Sequence, residues 1–125
     1  MADRLSKIGI HTVDDLLNAN PERVAEKLGN RRIDGDIVLA WQQQATLVCR
    51  IPMLRGHDAQ LLVAAEITSP EELATQDVED LFSRVDPISR SREGKRIIRG
   101  GSLPDMEEIS EWIRNAKVNR ELLAA

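Results

Sequence analysis

Aromatic residues are almost missing: Trp41, Phe82 and Trp112 are the three in the chain, and there is no Tyr. A core without them is built from Leu, Ile, Val and Ala, which suits close helix packing better than a β-sandwich. Cysteine is limited to Cys49, so no intrachain disulfide can form and nothing points to secretion. No apolar run approaches the roughly 20 residues that span a bilayer, and the N-terminus has no signal-peptide apolar region, so no membrane association is expected and a cytoplasmic protein is. Positive charge is in deficit. The net charge of −4 gives no global attraction to nucleic acid or anionic lipid, although a local basic face remains open. His11 and His57 lie far apart with one Cys between them, so no metal-site spacing exists and no cofactor is expected.

What is present is an ordinary apolar content of 42% in 125 residues, enough for one folded domain with a modest core. Helix punctuation divides the chain. Thr12-Val13-Asp14-Asp15 is a capping-box variant, and Asn20-Pro21-Glu22 reads as N-cap, first-turn proline and acid. Gly29 suits a left-handed helix end. A longer helix is predicted from about Asp36 to Cys49, with Val38, Trp41, Ala45 and Val48 on one face, ended by Ile51-Pro52. Another follows from His57 or Asp58 to about Glu66. Ser69-Pro70-Glu71-Glu72 and Asp77 then cap two more. The stretch from Asp86 to Ser102, rich in Arg, Ser and Gly, reads as a basic loop about 86–102 with room for a short helix near Arg92 to Arg99. Ser102-Leu103-Pro104 opens a last helix with an apolar face of Met106, Ile109, Ile113 and Ala116, flanked by Trp112, and the final residues are expected to fray.

The second half echoes the first. At an offset of 57, Leu5, Ile10, Thr12, Leu16 and Asn20 align with Leu62, Ile67, Ser69, Leu73 and Asp77. At an offset of 71, Val38, Trp41 and Ala45 align with Ile109, Trp112 and Ala116, and the 14 additional residues fall in the basic segment Arg84 to Gly101. The expectation is an all-α, single-domain chain, a compact bundle of about seven to eight short helices built from a tandem repeat. Unit one covers about 1–50 and unit two about 51–125.

The run from Cys49 through Ile51-Pro52-Met53-Leu54-Arg55-Gly56-His57-Asp58-Ala59 to Leu61-Leu62, followed by Ala65-Glu66-Ile67-Thr68-Ser69-Pro70-Glu71-Glu72-Leu73, resembles the helix-hairpin-helix motif. Leu5 to Leu17 is similar to the second half of that pattern. The whole chain resembles an uncharacterised bacterial family of tandem helix-hairpin-helix-like domains, a domain of unknown function. The resemblance implies sequence-independent binding of a nucleic-acid backbone, with two hairpin glycines bringing main-chain N–H groups to a phosphate at the start of the next helix. Here those glycine positions hold Met53 and Arg55, and Gly56 falls one place later. A Cβ at both places obstructs the approach, leaving Arg55 to reach a phosphate by its side chain.

Two functions therefore stand side by side, neither of them enzymatic, because no nucleophile, base and oxyanion donors converge. The favoured one is a protein-interaction or scaffold module with an unidentified protein partner, using the apolar hairpin tip Met53-Leu54 and a rim of arginines. The alternative is nucleic-acid backbone binding through Arg50, Arg55, Gly56 and His57 together with Arg90, Arg92, Lys95, Arg96 and Arg99. In the basic segment, Arg84 and these five cations outweigh Asp86 and Glu93 by four charges. Arginine clusters serve protein carboxylates as readily as phosphates. A second cluster, Arg23, Lys27, Arg31 and Arg32, occupies the corresponding place in unit one. The acid pairs Asp14-Asp15 and Glu71-Glu72 sit in first helical turns, where the helix dipole favours them.

Overall fold

The computed structural model describes residues 2–118, so the expected fraying of the final residues lies outside the described part. The described chain is all α-helical. Its helices are α1 (Ala2–Lys7), α2 (Val13–Asn18), α3 (Pro21–Leu28), α4 (Gly35–Arg50), α5 (Gly56–Ala64), α6 (Pro70–Ala74), α7 (Val78–Arg90), α8 (Arg92–Ile98) and α9 (Met106–Ala116). The chain divides into two compact units, Met1–Ala45 and Thr46–Ala125.

In the first unit the caps form as the sequence dictates. Thr12 Oγ1 accepts from the Asp15 N–H at 3.0 Å, while Asp15 Oδ2 accepts from the N–H groups of Thr12 at 3.2 Å and His11 at 3.0 Å. The His11 N–H, followed by the Thr12 contacts, holds the Asp15 carboxyl below its ordinary pKa. Asn20 Oδ1 caps α3, and Gly29 ends it at φ +63°. The core of this unit is thin, with Val24 and Val38 as its buried apolar side chains among the described residues. Gln42, also buried, donates from Nε2 to the carbonyls of Leu16 (2.9 Å) and Ala19 (2.8 Å), fixing the end of α2 against α4.

The second unit holds the large core. Leu47, Ile51, Leu61, Leu62, Ile67 and Leu73 are all essentially inaccessible, and Leu81, Val85, Ile109 and Trp112 join the same cluster. α9 packs on α6 and α7, and α8 packs on α7 and α5. Ser69 Oγ caps α6 and Asp77 Oδ2 caps α7.

Local geometry recurs at the offset of 57. Gly9 and Glu66 both hold positive φ, +94° and +67°. Ile10 N–H donates to Leu5 O and Ile67 N–H to Leu62 O, each at 2.9 Å. The His11 N–H is bound by Asp15, and the Thr68 N–H by Glu72. At the offset of 71, Asp34 caps the start of α4 by accepting from Ile37 N–H at 3.0 Å, and Asp105 caps α9 by accepting from Glu108 N–H at 2.8 Å.

Four expectations change. The segment expected as a loop about 86–102 is largely helical: α7 runs through Pro87 to Arg90, and α8 covers the short helix anticipated near Arg92. Proline argues against a helix interior, but Val85, Ile88 and Ser89 on the same turns face the core, and packing overrides the local preference. The last helix starts at Met106 rather than Ser102, because Asp105 is its N-cap; Met106 is 40% exposed, whereas Trp112 belongs to the core. The stripe expected along α4 is buried at Val38 and half-buried at Trp41 and Ala45 but fails at Val48, which is exposed while Leu47 is buried, since the helix contributes residues to two units. Nine helices are described instead of about seven to eight, the addition being the short α1.

Candidate functional site around the α4–α5 hairpin

The turn between α4 and α5 is made by Ile51 to Arg55. Met53 holds φ +67°, a left-handed conformation that costs a non-glycine residue on the order of 1 kcal/mol, and its side chain is 87% exposed. Leu54, expected beside it at an exposed tip, is buried in the core instead. It anchors the turn, and the apolar tip is reduced to Met53 alone. Because Met53 has the backbone of a glycine position, Met53→Gly is expected to raise stability by up to about 1 kcal/mol, read from the midpoint of urea unfolding.

Arg55 precedes α5 and is tied down. Its N–H donates to Asp58 Oδ2 at 3.1 Å, its Nε to the same oxygen at 3.2 Å, and its Nη2 to Asp58 Oδ1 at 3.3 Å. The same Nη2 also pairs with Glu108 on α9. The hydrogen bonds to Asp58, then that carboxylate's charge, hold the guanidinium above its ordinary pKa. Asp58 is 2% exposed, and its partners explain how a carboxylate tolerates that burial: Arg55 bonds both of its oxygens, and His57 Nε2 stands 3.3 Å from Oδ1. Gly56 opens α5 with open space around its Cα.

Beside the hairpin lies an open groove of about 620 Å³ within the second unit. Met53, Arg55 and His57 line one side, and Trp112 and Ile98 contribute apolar surface. The start of α9 adds an acidic wall, with Asp105, Glu107, Glu108 and Glu111 all lining the groove. Burial, then the negative charge of Asp58 and Asp105, pushes the Glu108 carboxyl above its ordinary pKa, although Arg55 and His57 act in the opposite sense. Among the described residues no group of three His, Cys, Asp or Glu side chains is placed to hold a metal ion.

That pKa direction has a consequence for stability. A carboxyl whose folded pKa exceeds its unfolded one binds its proton more tightly in the native state, so its contribution favours folding at low pH and is lost as pH rises through the raised value. Glu108→Gln should therefore remove a downward slope from the stability–pH curve. The difference in unfolding free energy between variant and parent is expected to grow in the variant's favour from pH 4 to 7. Subtraction cancels the opposite contributions of Asp15 and of Glu71, whose carboxyl is lowered by its own N–H and by Arg50. A difference that falls with pH would contradict the cause assigned here.

The remaining sequence candidates divide by whether they are engaged. Arg50 pairs with Glu71, and Arg90 Nε with Asp86 at 3.0 Å. Arg84 donates to the Ala65 carbonyl. Arg92, Lys95, Arg96 and Arg99 are exposed on or directly after α8, and among the described residues they make no ion pair. The cations are thus different in kind: Arg50 and Arg55 at the hairpin and Arg90 at the end of α7 are structural partners of acids, and those of α8 and its cap are available. The acidic wall was not singled out in the sequence. Its signal was the i, i+3, i+4, i+7 spacing of Glu108, Glu111, Trp112 and Asn115 on one helix face, all of which line the groove. No helix among the described residues is long and apolar enough to cross a membrane.

Neither a curated protein nor a solved structure matches the chain. A family model described as Domain of unknown function (DUF4332) matches residues 1–119.

Proposed function

The chain belongs to the DUF4332 family, and we propose that it is a non-catalytic protein-interaction module working through the hairpin groove of its second unit. The observation that carries this reading is the engagement of Arg55 by Asp58 and Glu108 in a groove walled by carboxylates. A phosphate brought to the hairpin would meet Asp105, Glu107 and Glu111 and would have to displace Arg55 from two acids. A protein surface with cations and an apolar residue for the exposed Met53 meets no such opposition. The partly apolar floor at Trp112 and Ile98 adds surface that a protein side chain can bury.

We read the architecture as two helix-hairpin-helix-like units. Support comes from the left-handed backbone of Met53 at the first hairpin glycine's place, and from the matched turns at Gly9 and Glu66. A second reading, backbone binding of nucleic acid, is favoured by one observation, the four cations of α8 and its C-cap that make no ion pair among the described residues.

A photoreactive amino acid placed at Met53, on the exposed rim, tests the proposal. Irradiation in cell extract should yield protein adducts. Adducts to nucleic acid alone would overturn it.

A further inference from the structure

We infer that the protein pairs with a second copy of itself through the second unit, the basic face of α8 in one copy lying along the acidic groove wall of the other. The inference rests on the protein-binding reading above and names its partner. The cations of this unit fall into two groups. Arg50, Arg55 and Arg90 are each held by an acid, and Arg84 by a carbonyl. Arg92, Lys95, Arg96 and Arg99 are exposed and make no ion pair among the described residues. The i, i+3, i+4 spacing of Arg92, Lys95 and Arg96 puts them on the exposed side of α8, with Arg99 in the left-handed cap directly after it, while Ile97 and Ile98 pack towards the core. These four cations outnumber Glu93, the acid of the same helix, and an anionic partner relieves the repulsion that is left among them.

The neighbourhood of α8 narrows the choice of partner. Ile98, its last residue, lines the same groove as Asp105, Glu107, Glu108 and Glu111. A uniform polyanion laid along α8 would run towards those carboxylates, and a uniformly cationic segment seated in the groove would approach the cations of α8. The surface that fits both patches presents the same two signs in the opposite order. A copy of this chain related by a two-fold axis between the patches does so automatically, because in such an interface each patch meets the other one twice. The pairing is held largely by exposed charge, so it is weak, reversible and sensitive to salt.

Sedimentation velocity of the full chain over a concentration series tests this at ~0.01 M salt, where charges act over about 30 Å, and at ~1 M, where they act over about 3 Å. A concentration-dependent dimer is expected at low salt and monomer at high salt. The double variants Lys95→Glu/Arg96→Glu and Glu107→Lys/Glu111→Lys should each raise the dimer Kd at least about tenfold. An equimolar mixture of the two should pair as tightly as the parent, because the swapped charges meet again. All four residues are exposed, and an unchanged circular dichroism spectrum shows that each variant is folded. A monomer at every concentration in low salt would overturn the inference, as would a dimer indifferent to both reversals or a mixture that fails to pair. Monomer together with protein adducts at Met53 would sink the self-pairing and leave the protein-binding reading standing; adducts to nucleic acid alone would sink that reading itself.

Discussion

Gly94→Ala is expected to lower the unfolding free energy by about 2–3 kcal/mol or more, although it replaces a poor helix former with the best one inside a helix. A Cβ on Gly94 would lie 2.1 Å from the Ile88 carbonyl oxygen and 2.5 Å from that of Ser89. Both obstacles are backbone, so no side chain can turn away. α8 would have to move off the end of α7, and Ile97 and Ile98 would lose their packing against the core. Gly56→Ala is the control. Nothing lies within 4 Å of its added Cβ, and it starts α5, so that variant should be neutral or stabilising by a few tenths of a kcal/mol. Denaturant titration of the two side by side checks the assignment. Equal effects would mean that α7 and α8 are not in close backbone contact.

The second large effect separates two leucines that the sequence aligns. Leu62→Ala should cost about 2–5 kcal/mol, because Leu62 is fully inaccessible at the centre of the second unit's core. Leu5→Ala, at the aligned position, should cost less than half as much, since Leu5 is only partly buried in a unit with two buried apolar side chains. The comparison is made by urea unfolding of both variants with the parent. A similar loss at both sites would mean that the first unit has a core as complete as the second.

These leucines also mark how far the sequence could be read. Their match at an offset of 57 was visible, as were the caps Thr12, Asn20, Ser69 and Asp77, because capping is local chemistry written in adjacent residues. Their unequal burial was not visible, because it depends on which distant helices arrive. The caps Asp34 and Asp105 were legible in principle, at the offset that aligned the two Trp residues, but the stronger turn signals nearby, Gly35 and Pro104, drew the helix starts elsewhere. In the basic segment, glycine and proline read as loop punctuation. In the fold, Pro87 stays helical under tertiary packing, and Gly94 serves close approach rather than a turn.

The site was half legible. The sequence singled out Met53 and Arg55, at the places where the resemblance implies hairpin glycines, and the structure puts both in the turn between α4 and α5. That Arg55 is captured by an acid 53 residues away, Glu108, could not be read from spacing. Nor could the burial of Leu54, which shifts the exposed apolar surface to a single methionine. The groove and its carboxylate wall arise because α9 returns to the side of α5, a long-range event with no local signature.

A salt-titrated mobility-shift assay on single- and double-stranded nucleic acid is the most direct measurement of the central claim, that the hairpin groove faces protein and not phosphate. The account predicts no shift at low salt, with the acidic wall in place and Arg55 held by Asp58 and Glu108. A complex that forms at low salt, weakens steeply as salt rises and is abolished by Arg55→Ala would contradict it.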